Sequence, residues 1–600
     1  MSQAVPVSDL ELQQLAAEPR TDLFRILKFT PVINPWLAVL AFLPGMAGVL
    51  TWTISDQSAL WGLRALSWTK DFAGPTVTDL SALRGAPPLS TWLTAGVMSL
   101  VGARPPLALM LVSYLSVATT VIFVARLGRR FGSSRLGFIA ALLLALDPLI
   151  LNGAHTCGPE LLGLCFLTIS FERFLAHLDG TPNVWSGRLL VSALAWGCAW
   201  LAEGWQSFAL GFAIGMVAFL IPLRLPPYDP DNHAVVALHV ARRRLRKSFL
   251  IWFAIGIAAG GWWIAATIYQ LGLSATWEWI LQSAPNAISP LYPHVDLIRR
   301  QGVEAGHAFL TGWAVLGVIA LIRHRAQLLP NFPELRAVMI MIFSMRLLVW
   351  RIMLASDQQD PTPCDLMMTT PLCLLAGFGM EALIRRIIRP VELIIAMLVG
   401  LVNILQALPY AETAEVRLMY GLGAVVCLLP VAVNFAQTRG WRWNESQRRL
   451  ALRGLILATW ICHGGWGVLQ SRATSPSERH LAMQLEHISR SLSDPDAVLV
   501  VSRVGLPPTL EFQLRARWPL TPVLHADRWD AALASGALPE SLNTILSMEL
   551  NRRGTPAAVL EAGWDITSGG EPFRFLGFQL TSYHVRRKAG ADRSAASPTR

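Results

Sequence analysis

The sequence predicts an α-helical membrane protein with about thirteen transmembrane helices and a carboxyl-terminal extracytoplasmic α/β domain. Of its 600 residues, 53% are hydrophobic and only 15% are charged, whereas soluble domains are closer to one quarter charged. Many apolar runs approach the roughly 20 residues that a helix needs to cross a bilayer. From about residue 473 onward these runs stop and charged residues occur throughout.

The apolar runs divide the first part of the chain into a cytoplasmic tail, 1–33, and a transmembrane domain, 34–472. The tail is polar and lacks the pattern of a signal peptide, so we expect the first helix to remain uncleaved. The predicted spans are 34–54, 107–125, 136–151, 159–177, 186–202, 205–223, 249–271, 308–323, 335–353, 366–386, 391–409, 416–436 and 450–470.

The net charge of +11 is explained by membrane topology rather than by nucleic-acid binding, because the basic residues cluster in short loops between apolar runs. Alternate loops carry these clusters, among them 126–135, 242–247, 385–389 and 439–449. Short loops rich in Lys and Arg stay on the cytoplasmic side. We therefore predict a multi-pass protein of the plasma (inner) membrane with a cytoplasmic amino terminus and an extracytoplasmic carboxyl-terminal domain. Seven scattered cysteines without a C-x-x-C pair indicate neither a disulfide framework nor a zinc site.

The first outer loop, 55–106, is too polar for lipid and too rich in Trp and Leu for a solvated loop. Its apolar residues recur at roughly helical spacing, with Arg64 and Lys70 among them; they are Leu60, Trp61, Leu63, Leu66 and Trp68. This pattern predicts an amphipathic helix in the membrane interface. A rigid turn at 84–89 and an interfacial anchor at Trp92 are expected to follow.

The segment 473–590 is predicted to be an extracytoplasmic α/β domain, and 591–600 a disordered tail. Residues 496–503 and 521–526 are typical of short strands, and 573–585 of a closing strand pair. Residues 509–518 and 540–553 have the pattern of helices between strands.

Acidic residues mark several of the predicted outer helix ends. Asp56 ends the first span, Glu160 begins the fourth after His155, and Glu203 lies between the fifth and sixth. Carboxylates near membrane depth are costly and indicate function. A helix cap is the alternative, since Glu160 after Pro159 also suits the first turn of a helix electrostatically.

The order of these features resembles the GT-C glycosyltransferases, and most closely the branch of the aminoarabinose transferases and protein mannosyltransferases. The residues that carry the resemblance, over roughly 34–390, are Asp56-Gln57, Ala86-Pro87-Pro88-Leu89, His155 to Glu160, Leu201 to Gly204 and GGWWIAATIY at 260–269. The last of these resembles a helix start in that family. Lysines of the family motifs are replaced here at Ala86 and Glu203, an arginine at His155, and an acidic residue at Gln57.

The resemblance implies transfer of a sugar from a polyprenyl-phosphate donor to a lipid, glycan or protein acceptor on the outer face. It implies Asp56 as the general base and Glu160 as a second carboxylate, and these two would be the ligands of any divalent metal. The candidates for binding the donor phosphate are Lys70, Arg84, His155, Arg299, Arg300 and Arg351. Two other classes stay open, a non-catalytic GT-C-like membrane subunit and a lipid or glycan transporter. No nucleic acid is expected as a partner.

Overall fold

The computed structural model describes most of the predicted helices and a carboxyl-terminal sheet. The described residues are 56–71, 88–101, 105–156, 160–178, 185–204, 207–208, 211–212, 233–274, 307–324, 328, 362–410, 414–438, 445–473, 498–502, 510, 512, 514, 523–525, 544–550, 564–568, 573–575 and 578–587. The predicted spans 34–54 and 335–353, and nearly all of 205–223, lie outside them.

The helices follow the apolar runs of the sequence. In chain order they are α1 (Asp56–Asp71), α2 (Pro88–Val101), α3 (Pro105–Phe131), α4 (Ser134–Ala145), α5 (Pro148–Thr156), α6 (Glu160–Leu178), α7 (Gly187–Glu203), α8 (His233–Leu271), α9 (Ala308–Arg323), α10 (Thr362–Ile384), α11 (Pro390–Ala407), α12 (Ala414–Thr438) and α13 (Glu445–Ala473). Among the described residues, parts of α3, α6, α8 and α11 are long and apolar enough to cross a membrane, and the pair α4–α5 would make a fifth span. The protein is a membrane protein.

Two predictions about these helices are wrong. Residues 136–151 do not form one continuous helix, because α4 and α5 meet at a bend of 56° where Asp147 precedes Pro148, and proline disfavours helical geometry in the residue before it. The GGWW segment at 260–269 is not a helix start but lies inside α8. Of the predicted turn at 84–89, Pro88 and Leu89 begin α2, and residues 84–87 lie outside the described part of the chain.

The amphipathic helix predicted after the first span is present as α1. Its residues Ala59, Trp61 and Ala65 are buried in a cluster with residues of α2 and α3, and Phe512 completes that cluster. Gly62 provides the space for the aromatic ring, because a Cβ at this position would overlap the Phe512 side chain. A segment about 450 residues further along the chain is thus packed against α1.

The carboxyl-terminal region contains a mixed sheet whose strands are β1 (Val498–Ser502), β2 (Val523–His525), β3 (Thr544–Leu550), β4 (Trp564–Ser568), β5 (Phe573–Phe575) and β6 (Phe578–Arg587). The strand order is β2-β1-β3-β6-β4, with β5 also paired to β6. The strands β1 and β2 and the antiparallel pair β5–β6 lie where the sequence predicts strands.

The helix predicted over 540–553 is wrong, because Thr544–Leu550 is the strand β3. This strand pairs in parallel with β1 and antiparallel with β6. Leu, Met and Glu give the segment a helical propensity, but pairing on both edges outweighs that weak preference. In the other predicted helix, 509–518, the described residues Leu510, Phe512 and Leu514 are helical and buried.

Candidate active site

The two glutamates singled out in the sequence lie at one corner of the helical bundle. Glu160 is the first residue of α6, and Glu203 is the last residue of its packing neighbour α7. Gly163 faces Glu203 so closely that a Cβ at position 163 would lie 2.7 Å from the Glu203 Cβ. Because Glu160 and Gly163 are separated by three residues, they are neighbours on the same side of α6. The fold therefore places Glu160 next to Glu203.

Glu203 is held by local contacts at the end of α7. Its Oε2 accepts a hydrogen bond of 2.5 Å from the Ser207 hydroxyl. Gly204 ends the helix with a φ of 88°, and its N–H donates to the Trp200 carbonyl at 2.7 Å. Only glycine adopts this backbone conformation at low cost, which explains the Glu203-Gly204 pair.

The amino-terminal end of α2 meets this corner. The Ser90 hydroxyl donates a buried hydrogen bond of 2.7 Å to the carbonyl of Ala202. This bond joins the first turn of α2 to the Leu201–Gly204 segment, although Ser90 and Ala202 are 112 residues apart. One motif of the family resemblance is therefore in contact with the residue that directly follows another, Ser90 after Pro88-Leu89.

The GGWW segment of α8 joins the same group of helices. Gly260 packs against the ring of Trp200, where a Cβ would lie 2.5 Å from a ring carbon. Trp262 stacks on Trp92 of α2, with 5.9 Å between the ring centroids and 12° between the planes. Trp92, expected to be an interfacial anchor, is thus half-buried against another aromatic ring.

The base candidate Asp56 is the first residue of α1, which packs against α2 and α3. Because α2 also contacts α7, the helix that carries Asp56 belongs to the same assembly as Glu203. Lys70 is the penultimate residue of α1, and His155 lies in the last turn of α5. The side chains of Asp56, Lys70 and His155 lie outside the described part of the structure.

This assembly has the architecture of a known group of membrane enzymes. Residues 85–225 match the family model of dolichyl-phosphate-mannose-protein mannosyltransferases. The structure also matches ArnT from Cupriavidus metallidurans bound to undecaprenyl phosphate, with a TM-score of 0.52 and 14% identity over 95% of this chain and 100% of that one. The chain has the GT-C glycosyltransferase fold.

Two further structures are similar to this GT-C chain, while no curated protein sequence matches it significantly. ArnT from the same organism in the apo state gives a TM-score of 0.51 at 15% identity, covering 92% of this chain and 98% of that one. The archaeal oligosaccharyltransferase AglB from Archaeoglobus fulgidus, in complex with an inhibitory peptide and a dolichol-phosphate, gives 0.46 at 11% identity over 87% and 70%. The match to ArnT extends over nearly the whole of both chains, including the region of the carboxyl-terminal sheet. The likeness to ArnT, at 14% and 15% identity, establishes the fold.

The other predicted site residues of this GT-C chain stay predictions. Arg84, Arg299, Arg300 and Arg351 lie outside the described residues, so their roles as phosphate ligands are untested. A divalent metal held by Asp56 and Glu160 is also untested. Within the described part of the chain, no group of three or more His, Cys, Asp or Glu side chains is placed to hold a metal ion.

Arg64 is a basic residue of the site region that sequence reasoning left out of the candidate set. It lies half-buried on α1, and desolvation by this burial lowers the pKa of its guanidinium. An arginine that loses hydration in its own fold interacts more strongly with an anion, because the local dielectric is lower. The amphipathic pattern of α1 includes Arg64, but its burial depends on packing that the local sequence does not reveal.

Proposed function

We propose that the protein is an integral membrane glycosyltransferase that moves a sugar from a polyprenyl phosphate to a lipid, glycan or protein acceptor on the outer membrane face. The observation that supports this most is the meeting of four separated motifs at one corner of a GT-C fold. The end of α7 that carries Glu203 contacts the first turns of α2 and α6 and the GGWW segment of α8. The ArnT structure of the same fold contains undecaprenyl phosphate.

In the proposed reaction an acceptor hydroxyl attacks the anomeric carbon of the donor sugar. A bond forms from that carbon to the acceptor oxygen, and the bond to the phosphate oxygen breaks. Asp56 takes the acceptor proton as general base, and the polyprenyl phosphate leaves with the electron pair of the broken bond. Glu160, at the amino-terminal end of α6, positions the acceptor beside Asp56 or shares a divalent metal with it.

Cationic groups must hold the departing phosphate, because negative charge develops there in the transition state. The candidates are Lys70, Arg84, His155, Arg299, Arg300 and Arg351, and the half-buried Arg64 joins them. Glu203 would repel a phosphate if its carboxylate faced the pocket. Its hydrogen bond to Ser207 and its packing on Gly163 support a role in shaping the corner instead.

The proposal includes an orientation in the plasma (inner) membrane, with Glu160 and the carboxyl-terminal domain outside. Three ion pairs lie at helix ends that the basic loops predict to be cytoplasmic: Arg130–Glu172, Arg385–Glu381 and Arg323–Glu392. Reporter fusions at 130, 245 and 445 should report the cytoplasm, and a fusion at 590 the outside. A cytoplasmic signal at 590 would contradict this orientation.

The activity is tested with purified protein in lipid nanodiscs and synthetic polyprenyl-phosphate sugars. Candidate donors and acceptors are chosen by comparing the lipids and surface glycans of cells with and without the gene. We expect one sugar to be missing from a surface glycan or lipid, and the purified protein to release polyprenyl phosphate only when the acceptor is present. Unchanged glycans together with movement of an intact sugar lipid across the bilayer would instead establish the transporter alternative.

A further inference from the structure

The bend between α4 and α5 contains a buried carboxylate that the proposed reaction does not use. Asp147 is fully buried, and its Oδ1 accepts hydrogen bonds from the backbone N–H groups of Leu149 at 3.0 Å and Ile150 at 3.3 Å. These are two of the N–H groups that lack partners at the start of a helix, so Asp147 caps α5. The cap explains how the chain resumes a helix immediately after the bend.

The second oxygen of Asp147 faces two histidines from distant parts of the chain. Its Oδ2 lies 3.4 Å from Nε2 of His463, a buried residue of α13, and 3.8 Å from Nε2 of His307, which precedes α9. Residues from α13 and from the segment that precedes α9 therefore face the bend.

A buried carboxylate is most stable beside a group that can carry the opposite charge. Removing a lone charge from water costs several kcal/mol, whereas a pair of opposite charges offsets much of that cost. The two backbone N–H donors complement negative charge on the Asp147 side chain. The contacts of Asp147 with His463 and His307 join three separate parts of the chain.

Helix α5 packs against the first turn of α6, which carries the candidate site residue Glu160. Gly153 of α5 packs against Leu161 of α6, where a Cβ on the glycine would lie 3.4 Å from the leucine side chain. Leu161 directly follows Glu160. At the bend itself, Gly464 of α13 packs against Leu146, since a Cβ on the glycine would lie 3.2 Å from the leucine side chain. Helix α13 therefore contacts the bend that leads into α5.

We propose that Asp147 and His463 are positioning residues for the sugar transfer proposed above, because their buried contact fixes α5 and thereby the first turn of α6, which carries Glu160. The inference rests on that proposed function. The pair acts through packing and does not touch the substrate. It links α13, the helix that leads toward the carboxyl-terminal sheet, to α5, which packs against the first turn of α6.

The test compares Asp147→Asn with the control Glu381→Gln. Glu381 lies on α10 and contacts the residue that caps the amino-terminal end of α4, opposite the bend. The asparagine side chain retains an oxygen for the cap but loses the charge that faces His463. Glu381 is equally a buried carboxylate, paired with Arg385 at 2.7 Å and hydrogen-bonded at 3.1 Å to Ser133, the residue that caps α4. Both variants remove a buried negative charge beside the same helix, but the first does so at the α4–α5 bend.

We expect Asp147→Asn to lower kcat about 10- to 100-fold with little change in the KM for the donor, because Glu160 is misplaced while donor binding is retained. Amide hydrogen exchange over 148–162 should become about tenfold faster. Glu381→Gln should lose stability but keep its kcat per folded protein and its exchange over 148–162. If Asp147→Asn does not fold, His463→Gln retains the cap and gives the same comparison.

Wild-type kcat and exchange in the Asp147 variant would overturn the inference, as would the same losses in the Glu381 control. If the wild-type protein transfers no sugar, the proposed function fails, while exchange over 148–162 still decides the positioning claim. Unchanged exchange would overturn that claim independently of any activity.

Discussion

Buried carboxylates at the two ends of the helical bundle have different partners. At the end predicted to be cytoplasmic, Glu172 lies 2.8 Å from Arg130, Glu381 lies 2.7 Å from Arg385, and Glu392 lies 3.0 Å from Arg323. At the opposite end, Glu203 accepts from a serine hydroxyl and Asp147 faces imidazoles. Every carboxylate of the first group contacts a guanidinium ion, in addition to the Ser133 hydroxyl on Glu381 and the His324 imidazole on Glu392. The contacts described for the second group are with a hydroxyl group and with imidazoles.

This difference gives the carboxylates at the two ends different electrostatic surroundings. Arginine stays protonated at every physiological pH, so each carboxylate of the first group lies beside a fixed positive charge. The Ser207 hydroxyl beside Glu203 carries no such charge. Helix α6 reaches both ends of the bundle, since Glu160 is its first residue and Glu172 lies near its end. Substitutions at the two ends of α6 can therefore test the comparison between the two ends of the bundle.

The largest effect is expected at the outer end of α6. Glu160→Gln should lower turnover about 10²- to 10⁴-fold if the carboxylate takes part in the reaction, while folding is retained, since the side chain is only half-buried. Glu160→Asp should keep activity because it preserves the charge. Turnover in matched amounts of folded protein decides this. Full turnover in Glu160→Gln, with a loss of about 1 kcal/mol or less in stability, would reduce Glu160 to a helix cap.

The next effect concerns the distant segment that covers α1. Phe512→Ala removes a fully buried ring from a cluster with Trp61 and Ala65, and such a truncation costs about 3–5 kcal/mol. We expect protease cleavage near 512 and faster hydrogen exchange in α1, with turnover reduced because α1 contains Asp56. Gly62→Ala, which intrudes on the same ring from the other side, should reproduce the exchange pattern. Unchanged exchange in α1 in both variants would show that this contact does not hold the helix.

A smaller effect is expected at the end of α6 that is predicted to be cytoplasmic. Glu172→Gln should lower the free energy of unfolding by about 1–3 kcal/mol, because two arginines lose a buried anion but are each about a quarter exposed and can regain water. Turnover per folded protein should stay at the wild-type level. Thermal unfolding and transfer assays on the same samples measure both quantities. A large loss of turnover at unchanged stability would reverse the assignment of the two ends.

The smallest effect is expected where α2 meets α7. Ser90→Ala removes one buried hydrogen bond to the Ala202 carbonyl, which should cost about 1 kcal/mol of stability. Thr94→Ala is a matched control, because Thr94 is a buried hydroxyl residue one turn further along α2. A lower turnover in Ser90→Ala than in Thr94→Ala would show that the junction of the two motifs shapes the active site. Equal turnover in both would limit Ser90 to a stabilising role.

The sequence was sufficient to locate helices and the ends that carry acidic residues. Apolar runs report burial in lipid directly, so α3, α6, α7, α9 and α11 lie close to their predicted bounds. Glu160 and Glu203 were found because a carboxylate at the end of an apolar run stands out in the local sequence. The order of short motifs was enough to indicate the GT-C fold, which the structural comparison confirms.

The remaining features depend on contacts between distant residues. Phe512 packs against α1, and His463 lies beside Asp147. In both cases no local sequence pattern reveals which segment is the partner. The strand β3 was mistaken for a helix because only its pairing with β1 and β6 decides its conformation. The bend at Asp147 did have a signal, since the residue before a proline is disfavoured in a helix, but the apolar run on both sides obscured it.

The central claim is that this outer corner transfers sugars with Asp56 as the base. The direct measurement is the rate of sugar transfer from a polyprenyl-phosphate donor by purified Asp56→Asn protein, compared with wild type at equal amounts of folded protein. Asparagine preserves the size of the side chain but cannot take the acceptor proton, so the account predicts a loss of about 10²- to 10⁴-fold with polyprenyl phosphate still bound. Full activity in the Asp56→Asn protein would contradict it.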